Sequence, residues 1–259
     1  MRIAGLVLLV LAGLHVAAGS ILAIFQRSFL YFPQPAVPAG DATTETLPVS
    51  GEKILVTVRE RQGPGAVIFF GGNADAVALL LPTLALAYPD RAIFLMNYRG
   101  YGGSSGRPTE EALQSDGLVL FDTVRKRHSD VIVVGRSLGT GIAIRIAAQR
   151  PVRSLVLITP YDSILGVAQH HFPMFPVRWL LLDRYESSRQ APQVRVPTLV
   201  LAADHDLVVP RDSTDALLAR FAPGIASLAV IRNTDHITIM ESGECVNAMR
   251  DAAPAITPP

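Results

Sequence analysis

Ser137, His236 and an aspartate lying between them in the chain are the residues whose types and order could carry nucleophilic chemistry. A serine hydroxyl is a weak nucleophile until a base takes its proton. The base in turn needs a carboxylate to fix its tautomer and stabilise its charge. Such a set attacks an acyl carbon, and fixed N–H donors must then receive the negative charge that grows on the carbonyl oxygen. Ser137 is the centre of Gly135-Arg-Ser-Leu-Gly139, which follows the β-branched run Val131-Ile-Val-Val134. Leu138 to Gln149 then reads as a helix, with Ile142, Ile144 and Ile146 among small residues. Strand, tight Gly-x-Ser-x-Gly turn and helix together describe a nucleophile elbow, where a Cβ at either glycine would collide with a neighbouring element.

The order serine, acid, base along the chain is the one expected when the serine stands on such an elbow. Residues 198–203 read as a buried strand ending in the acidic turn Asp204-His-Asp206. Either aspartate could be the acid, and an Asx-type turn role fits Asp204 better. Residues 227–231 read as a further strand, and Arg232-Asn-Thr-Asp-His236 is its loop, so His236 is the candidate base. The other histidines have plainer readings. His15 lies in an apolar segment, His128 ends a basic run as a solvated helix end, and His205 stands at the rim of the acid loop. His170 and His171 fall in an irregular aromatic-rich region, where one of them could line a pocket. Gly102-Gly-Ser-Ser-Gly106 also matches the serine pattern, but no strand leads directly into Ser104 and no helix follows it, so it reads as a flexible loop.

Two backbone donors are expected. One is the N–H of Leu138, just after the nucleophile. The other belongs to Gly71-Gly-Asn-Ala-Asp75, the loop after the strand at 66–70, with Asn73 as the donor and Ala74 as the alternative.

The elements that must hold these residues follow from pattern. Strands are expected near 54–58, 66–70, 92–96, 131–135, 154–159, 198–203 and 227–231, and helices near 76–88, 109–126, 138–150, 211–220 and 237–250. The alternation implies an α/β fold, a mostly parallel sheet covered by helices on both faces. The 259 residues suffice for one such domain, placed at 29–250. Residues 161–193, apolar and proline-punctuated, break the rhythm and read as a small lid, the alternative being a loop packed on the core. Residues 251–259 read as a disordered tail.

Residues 3–25 contain no Asp, Glu, Lys or Arg. As a helix they extend about 35 Å at ~1.5 Å per residue, enough for a hydrocarbon core of roughly 30 Å. They read as a transmembrane anchor. A cleaved signal is the competing reading, since Val16-Ala-Ala-Gly-Ser20 offers small residues, but Ile21-Leu-Ala-Ile-Phe25 carries the apolar run further. A buried core helix is the third reading. Arg2 with the terminal amine slightly outweighs Arg27, which favours a cytoplasmic N-terminus and, in a bacterium, a periplasmic domain.

Charge is balanced, with 23 basic and 22 acidic residues, and no basic stripe suggests a nucleic-acid partner. The single cysteine, Cys245, lacks a strand-turn context for catalysis. No Cys/His cluster, P-loop or Gly-x-Gly-x-x-Gly follows a strand, so neither metal nor cofactor is expected.

Taken in order, these segments resemble the α/β-hydrolase superfamily, and within it the Bem46-like, ABHD13- and ABHD17-type serine hydrolases. Phe29-Leu-Tyr-Phe-Pro33 resembles the family's entry to the domain, and Phe70-Gly-Gly-Asn-Ala74 its oxyanion loop, usually His-Gly-Asn-Ala. Asn97-Tyr-Arg-Gly-Tyr-Gly-Gly-Ser-Ser-Gly106 resembles its Asp-Tyr-Arg-Gly-Tyr-Gly-x-Ser-x-Gly segment. Thr159-Pro-Tyr-Asp-Ser-Ile164 resembles the segment after its sixth strand, where the lid is inserted before the seventh. Asp206-Leu-Val-Val-Pro210 matches the acid loop, so the resemblance implies Asp206 as the acid. It also implies a cofactor-free serine hydrolase acting on an ester, thioester or amide of a small-molecule or lipid-like acyl substrate. A peptidase, an acyltransferase and a non-catalytic binding protein of this fold are the alternatives. The chain departs from the pattern at Gly71 and Asn97, which replace His and Asp, and at Thr234-Asp-His236, which replaces Gly-x-Gly-His.

Overall fold

The computed structural model describes residues 2–49 and 51–256. Its strands are β1 (Thr43–Val49), β2 (Glu52–Arg59), β3 (Gly65–Phe70), β4 (Ala92–Met96), β5 (Asp130–Arg136), β6 (Ser154–Ile158), β7 (Thr198–Ala203) and β8 (Ala226–Ile231). Its α-helices are α1 (Arg2–Leu30), α2 (Leu81–Ala87), α3 (Glu110–Arg125), α4 (Leu138–Gln149), α5 (Ile164–His171), α6 (Val177–Leu180), α7 (Ser187–Gln190), α8 (Arg211–Leu218) and α9 (Gly243–Asp251).

The strands form one sheet in the order β1-β2-β4-β3-β5-β6-β7-β8. The β1–β2 and β2–β4 pairs are antiparallel, and every pair from β4–β3 onward is parallel. Strands β3, β4, β5 and β6 are buried at every position, which is why they read as unbroken apolar runs. On one face Leu113, Leu120 and Phe121 of α3 and Ile142 and Ile146 of α4 pack with Ile68, Phe94 and Val133. On the other, Leu84 of α2 and Cys245 and Met249 of α9 pack with Phe69, Leu95 and Val134.

Every expected strand and helix is present within a few residues, although 76–88 and 237–250 each begin as a 3₁₀ turn, Val77–Leu80 and Thr238–Glu241. Strand β1 is the strand the pattern did not reveal, and within 161–193 it did not reveal the helices α5, α6 and α7 either. The β1 sequence, Thr-Thr-Glu-Thr-Leu-Pro-Val, is mostly polar, and only Leu47 is buried. An edge strand with one neighbour needs no apolar alternation and tolerates a proline.

Helix α1 runs to Leu30, past the expected end of the apolar segment at 25. Its last turns dock on the domain. Gln26 Nε2 donates to Leu180 O (3.1 Å), Gln26 Oε1 accepts from Leu182 N (2.7 Å), and Arg27 pairs with Asp183 (2.9 Å). Ile3–Leu30 is long and apolar enough to cross a membrane, with mean hydropathy 2.4, and none of its most apolar 18 residues is buried. That exposure does not fit a buried core helix.

Residues 161–193 are partly packed on the domain and partly exposed. Tyr161, Asp183, Tyr185 and Ala191 are buried against the domain, whereas Phe172, Met174, Trp179 and Leu182 stand exposed on the α5–α6 hairpin. We call residues 164–182 the cap. At the C-terminus, Asp251 closes α9 and Pro254 O accepts from Arg91 Nη2 at 2.8 Å, so the chain is held beyond the point where a disordered tail was expected to begin. Residues 257–259 of that tail lie outside the described residues.

Candidate active site

Ser137 occupies the single residue between β5 and α4. Its backbone is left-handed, with φ 47° and ψ −119°, a conformation that costs a non-glycine residue of order 1–3 kcal/mol. The surroundings enforce it. Ser137 N donates to Ile158 O of β6 at 2.9 Å. A Cβ on Gly135 would lie 2.6 Å from Gly139 O, and one on Gly139 would overlap Phe70 O of β3. The two glycines thus let α4 start directly against the sheet, with the serine turned outward.

His236 Nε2 lies 2.8 Å from Ser137 Oγ, and His236 Nδ1 lies 2.8 Å from Asp206 Oδ2. With Asp206 ionised, Nδ1 carries the proton and Nε2 is left to accept one from the serine. Ser137 and His236 are each 8% exposed. The other carboxylate oxygen, Asp206 Oδ1, accepts from Val208 N (2.9 Å) and Val209 N (2.8 Å). The turn role, expected at Asp204, therefore falls on Asp206; one carboxylate both closes its own loop and faces the imidazole.

Asp204 instead joins two loops. It accepts from Asn233 N (2.8 Å) and Thr234 N (2.9 Å), and from His205 Nδ1 (2.9 Å). Desolvation pushes its pKa up, but these donors together outweigh it and hold the carboxyl below its usual value. The acid loop and the base loop are thereby stapled at their roots.

The loop Gly71–Asp75 is held from every side. Tyr98 Oη donates to Gly71 O (2.7 Å), and Asp75 Oδ2 accepts from Gly72 N (2.6 Å). Asn73 O accepts from Tyr101 Oη (2.7 Å) and from Phe32 N (3.0 Å). Burial raises the pKa of both phenols, so they remain donors. Among the described residues neither Leu138 N–H nor Asn73 N–H has an acceptor. Gly71, where the resemblance has histidine, leaves a loop whose carbonyls are fixed by tyrosines instead.

Arg136, the unassigned residue of the elbow pattern, spans the site. Its Nη1 pairs with Asp75 Oδ1, and its Nη2 donates to His236 O at 2.8 Å. One guanidinium thus connects the Gly71–Asp75 loop to the loop that carries His236. The sequence placed Arg136 beside the serine and Asp75 in the glycine loop, but nothing in either spacing pairs them across 61 residues.

The remaining candidates fall elsewhere. Ser104 Oγ accepts from Leu55 N and donates to Asn97 O, both at 2.9 Å, so it fixes a loop. Asn97 keeps an anchoring role without a carboxylate, donating to Leu55 O at 3.2 Å. His128 is buried, not solvated: Nδ1 meets Gly63 O at 3.0 Å and the ring packs edge-on to Phe94. His15 stacks on Phe175 of the cap, and His171 Nε2 meets Val208 O at 2.8 Å. His170 and His205 are exposed. Asp235, next to the base, turns away from it. Its carboxylate accepts from Thr238 N and Ile237 N, which hold its pKa low. Cys245 is buried, and burial pushes its thiol up to about 12, far from a nucleophilic thiolate.

A known family described as alpha/beta hydrolase fold matches residues 65–191. An uncharacterized protein of Mycobacterium tuberculosis, Rv2307c, is 33% identical over 80% of this chain and 80% of its own length. The mouse lysophosphatidylserine lipase ABHD12 is 31% identical over 56% of this chain, but that match spans only 42% of the lipase. Among solved structures, the enol-lactonase from Burkholderia xenovorans LB400 superposes with a TM-score of 0.64 at 17% identity, over 80% of this chain and 99% of its own. This is the same fold. The chain belongs to the α/β-hydrolase superfamily.

Proposed function

We propose that this protein is a membrane-anchored serine hydrolase that cleaves an acyl bond, most directly a carboxylic ester, through Ser137, His236 and Asp206. The observation that carries the reading is the pair of 2.8 Å contacts from one imidazole, to Ser137 Oγ and to Asp206 Oδ2.

His236 Nε2 takes the serine proton as Oγ bonds to the acyl carbon. The tetrahedral intermediate places its oxyanion between Leu138 N–H and Asn73 N–H. Asp206 stabilises the imidazolium without itself taking the proton. The C–O bond to the leaving group then breaks, and His236 gives that group the proton. Water repeats the sequence on the acyl-enzyme: His236 removes a proton from it, and collapse returns the proton to Ser137. No step needs a cofactor.

Helix α1 serves as the single-pass anchor, with the domain on the non-cytosolic side. The cap covers the site as its lid. Supporting the membrane placement are the length, hydropathy and exposure of Ile3–Leu30. The test is turnover of a panel of acyl esters and thioesters alongside aminoacyl amides, by the wild-type protein and by Ser137→Ala. Ester turnover lost in the variant is expected. Turnover unchanged in the variant would remove Ser137 from the mechanism.

A further inference from the structure

Between the last two turns of α1 and the cap lies a cavity of ≈ 130 Å³. Leu22, Ala23 and Phe29 line it from the anchor, and Ala168, Phe175 and Leu180 from the cap. Gln26 is the only polar side chain in the wall, and its polar atoms are occupied. Nε2 donates to Ala23 O and Leu180 O, and Oε1 accepts from Leu182 N. The cavity thus offers a ligand no free side-chain donor or acceptor. Its apolar wall suits hydrocarbon.

We propose that this cavity holds one unbranched acyl chain of a membrane-derived ester or thioester, so that the anchor helix is itself a wall of the substrate site. The proposal deepens the serine-hydrolase reading and rests on it for the reacting end of the substrate.

Three features favour an acyl chain as the occupant. First, the wall formed by Leu22 and Ala23 continues along α1 into the unburied apolar stretch that would lie in lipid. A chain can pass from bilayer to cavity without crossing water. Phe175, stacked on His15 and 3.4 Å from a Cβ position on Gly19, forms the lip on that side. Second, the cap carries Phe172, Met174, Trp179 and Leu182 exposed beside this opening, an apolar and aromatic rim suited to a lipid interface. Third, Leu30 links the cavity to the Gly71–Asp75 loop. Leu30 lines the cavity, and its carbonyl accepts from Asn73 Nδ2 at 3.0 Å.

The experiment uses the full-length protein in a non-ester detergent with p-nitrophenyl esters from acetyl to palmitoyl. kcat/KM is expected to rise about fourfold per added methylene until the cavity is filled. Ala23→Trp and Ala168→Trp fill the cavity from opposite walls. Each should cut the palmitoyl-to-acetyl ratio by at least tenfold. Ala23 lies on a helix outside the domain core, so its variant leaves that core intact. A wild-type chain-length profile in both variants overturns the proposal, and fluorophosphonate labelling of Ser137 in the same samples shows that the hydrolase reading survives it. A second readout does not need turnover. Palmitate carrying a mid-chain diazirine should cross-link peptides spanning both 22–30 and 164–181, and both variants should lose those adducts. Adducts confined to residues 3–21, or unchanged by the two substitutions, overturn the proposal even in a protein with no esterase activity.

Discussion

The side-chain amide of Asn73 donates to the carbonyl oxygen of Leu30, the last residue of α1, at 3.0 Å. Two residues on, Phe32 N donates to Asn73 O at 3.0 Å. The exit of α1 is thus bonded on both sides to the residue proposed as the second oxyanion donor. The apolar helix ahead of residue 28 takes no part in these two bonds.

The first prediction concerns where the chain can be cut. A chain beginning at Ser28 keeps Leu30 and Phe32, is soluble, and hydrolyses acetyl esters at close to the full-length kcat. It loses the preference for long chains, because Leu22, Ala23 and Gln26 are gone. A chain beginning at Gln34 loses both bonds to Asn73, and kcat should fall by roughly 10²-fold, the scale of one misplaced oxyanion donor. Equal activity of the two chains would show that the anchor exit does not position the loop.

The nucleophile is tested directly. A fluorophosphonate probe should label Ser137 and leave Ser104 unmodified, although both lie in Gly-x-Ser-x-Gly segments. Ser104 Oγ already bridges Leu55 N and Asn97 O and faces no base. Peptide mapping reads the site, and an adduct on Ser104, or undiminished labelling of Ser137→Ala, would sink the assignment.

The two aspartates of the acid loop should separate by mechanism. Asp206→Asn keeps an acceptor for the loop but cannot stabilise the imidazolium or fix its tautomer. The loss in kcat should approach about 10⁴-fold. Asp204→Asn loosens the link to Asn233 N and Thr234 N, so its effect should be a lowered melting temperature with kcat changed by less than tenfold. Steady-state kinetics and thermal unfolding of both variants decide it. Comparable kcat losses would mean that the acid has been assigned wrongly.

Much of this site was legible in the sequence because its parts obey local rules. The elbow needs a strand, two glycines and a helix within about twenty residues, and all are contiguous at 131–149. Ser137, Asp206 and His236 are each introduced by a strand end, so their order could be read. The Asp204–Asp206 choice could not be made from turn chemistry, because it depends on which carboxylate faces a ring 30 residues away. Arg136 and Asp75 were hidden for the same reason, as was the contact of Leu30 with Asn73. Strand β1 was missed because an edge strand with one buried side chain has no apolar alternation to see. His128 was misjudged because a basic run hid a ring buried against Phe94.

Arg136 supplies the next prediction. Its side chain is 8% exposed and Asp75 is 14% exposed, so removing the cation leaves a largely buried carboxylate unpaired. Arg136→Met should lower stability by roughly 3–5 kcal/mol, the usual cost of breaking such a pair. Asp75→Asn combined with Arg136→Met removes both charges and should recover part of that loss. Chemical denaturation of the two variants tests the coupling. A double variant no more stable than the single one would show that the pair is not the source of the effect.

The last prediction concerns the membrane. If α1 is a retained anchor, the full-length protein sediments with membranes and resists extraction by high salt, because hydrocarbon burial and not surface charge holds it there. Detergent should release it. Helix α1 leaves the domain from a fixed point, since Arg27 pairs with Asp183 and Gln26 bonds to both Leu180 and Leu182. The cap, with its exposed Met174 and Trp179, must therefore lie on the same side of the bilayer as the rest of the domain. The charge balance around 3–25 favours a cytoplasmic N-terminus, which puts that side outside the cytosol. In a bacterial host, alkaline phosphatase fused to the C-terminus should be active, and a fluorescent protein that matures only in the cytosol should be dark. The reverse pattern would invert the orientation and leave the anchor standing. A shortened, fully soluble native chain would mean instead that the segment is removed as a signal. In that case the wall formed by Leu22, Ala23 and Gln26 would be missing from the mature protein, and the long-chain preference should disappear with it.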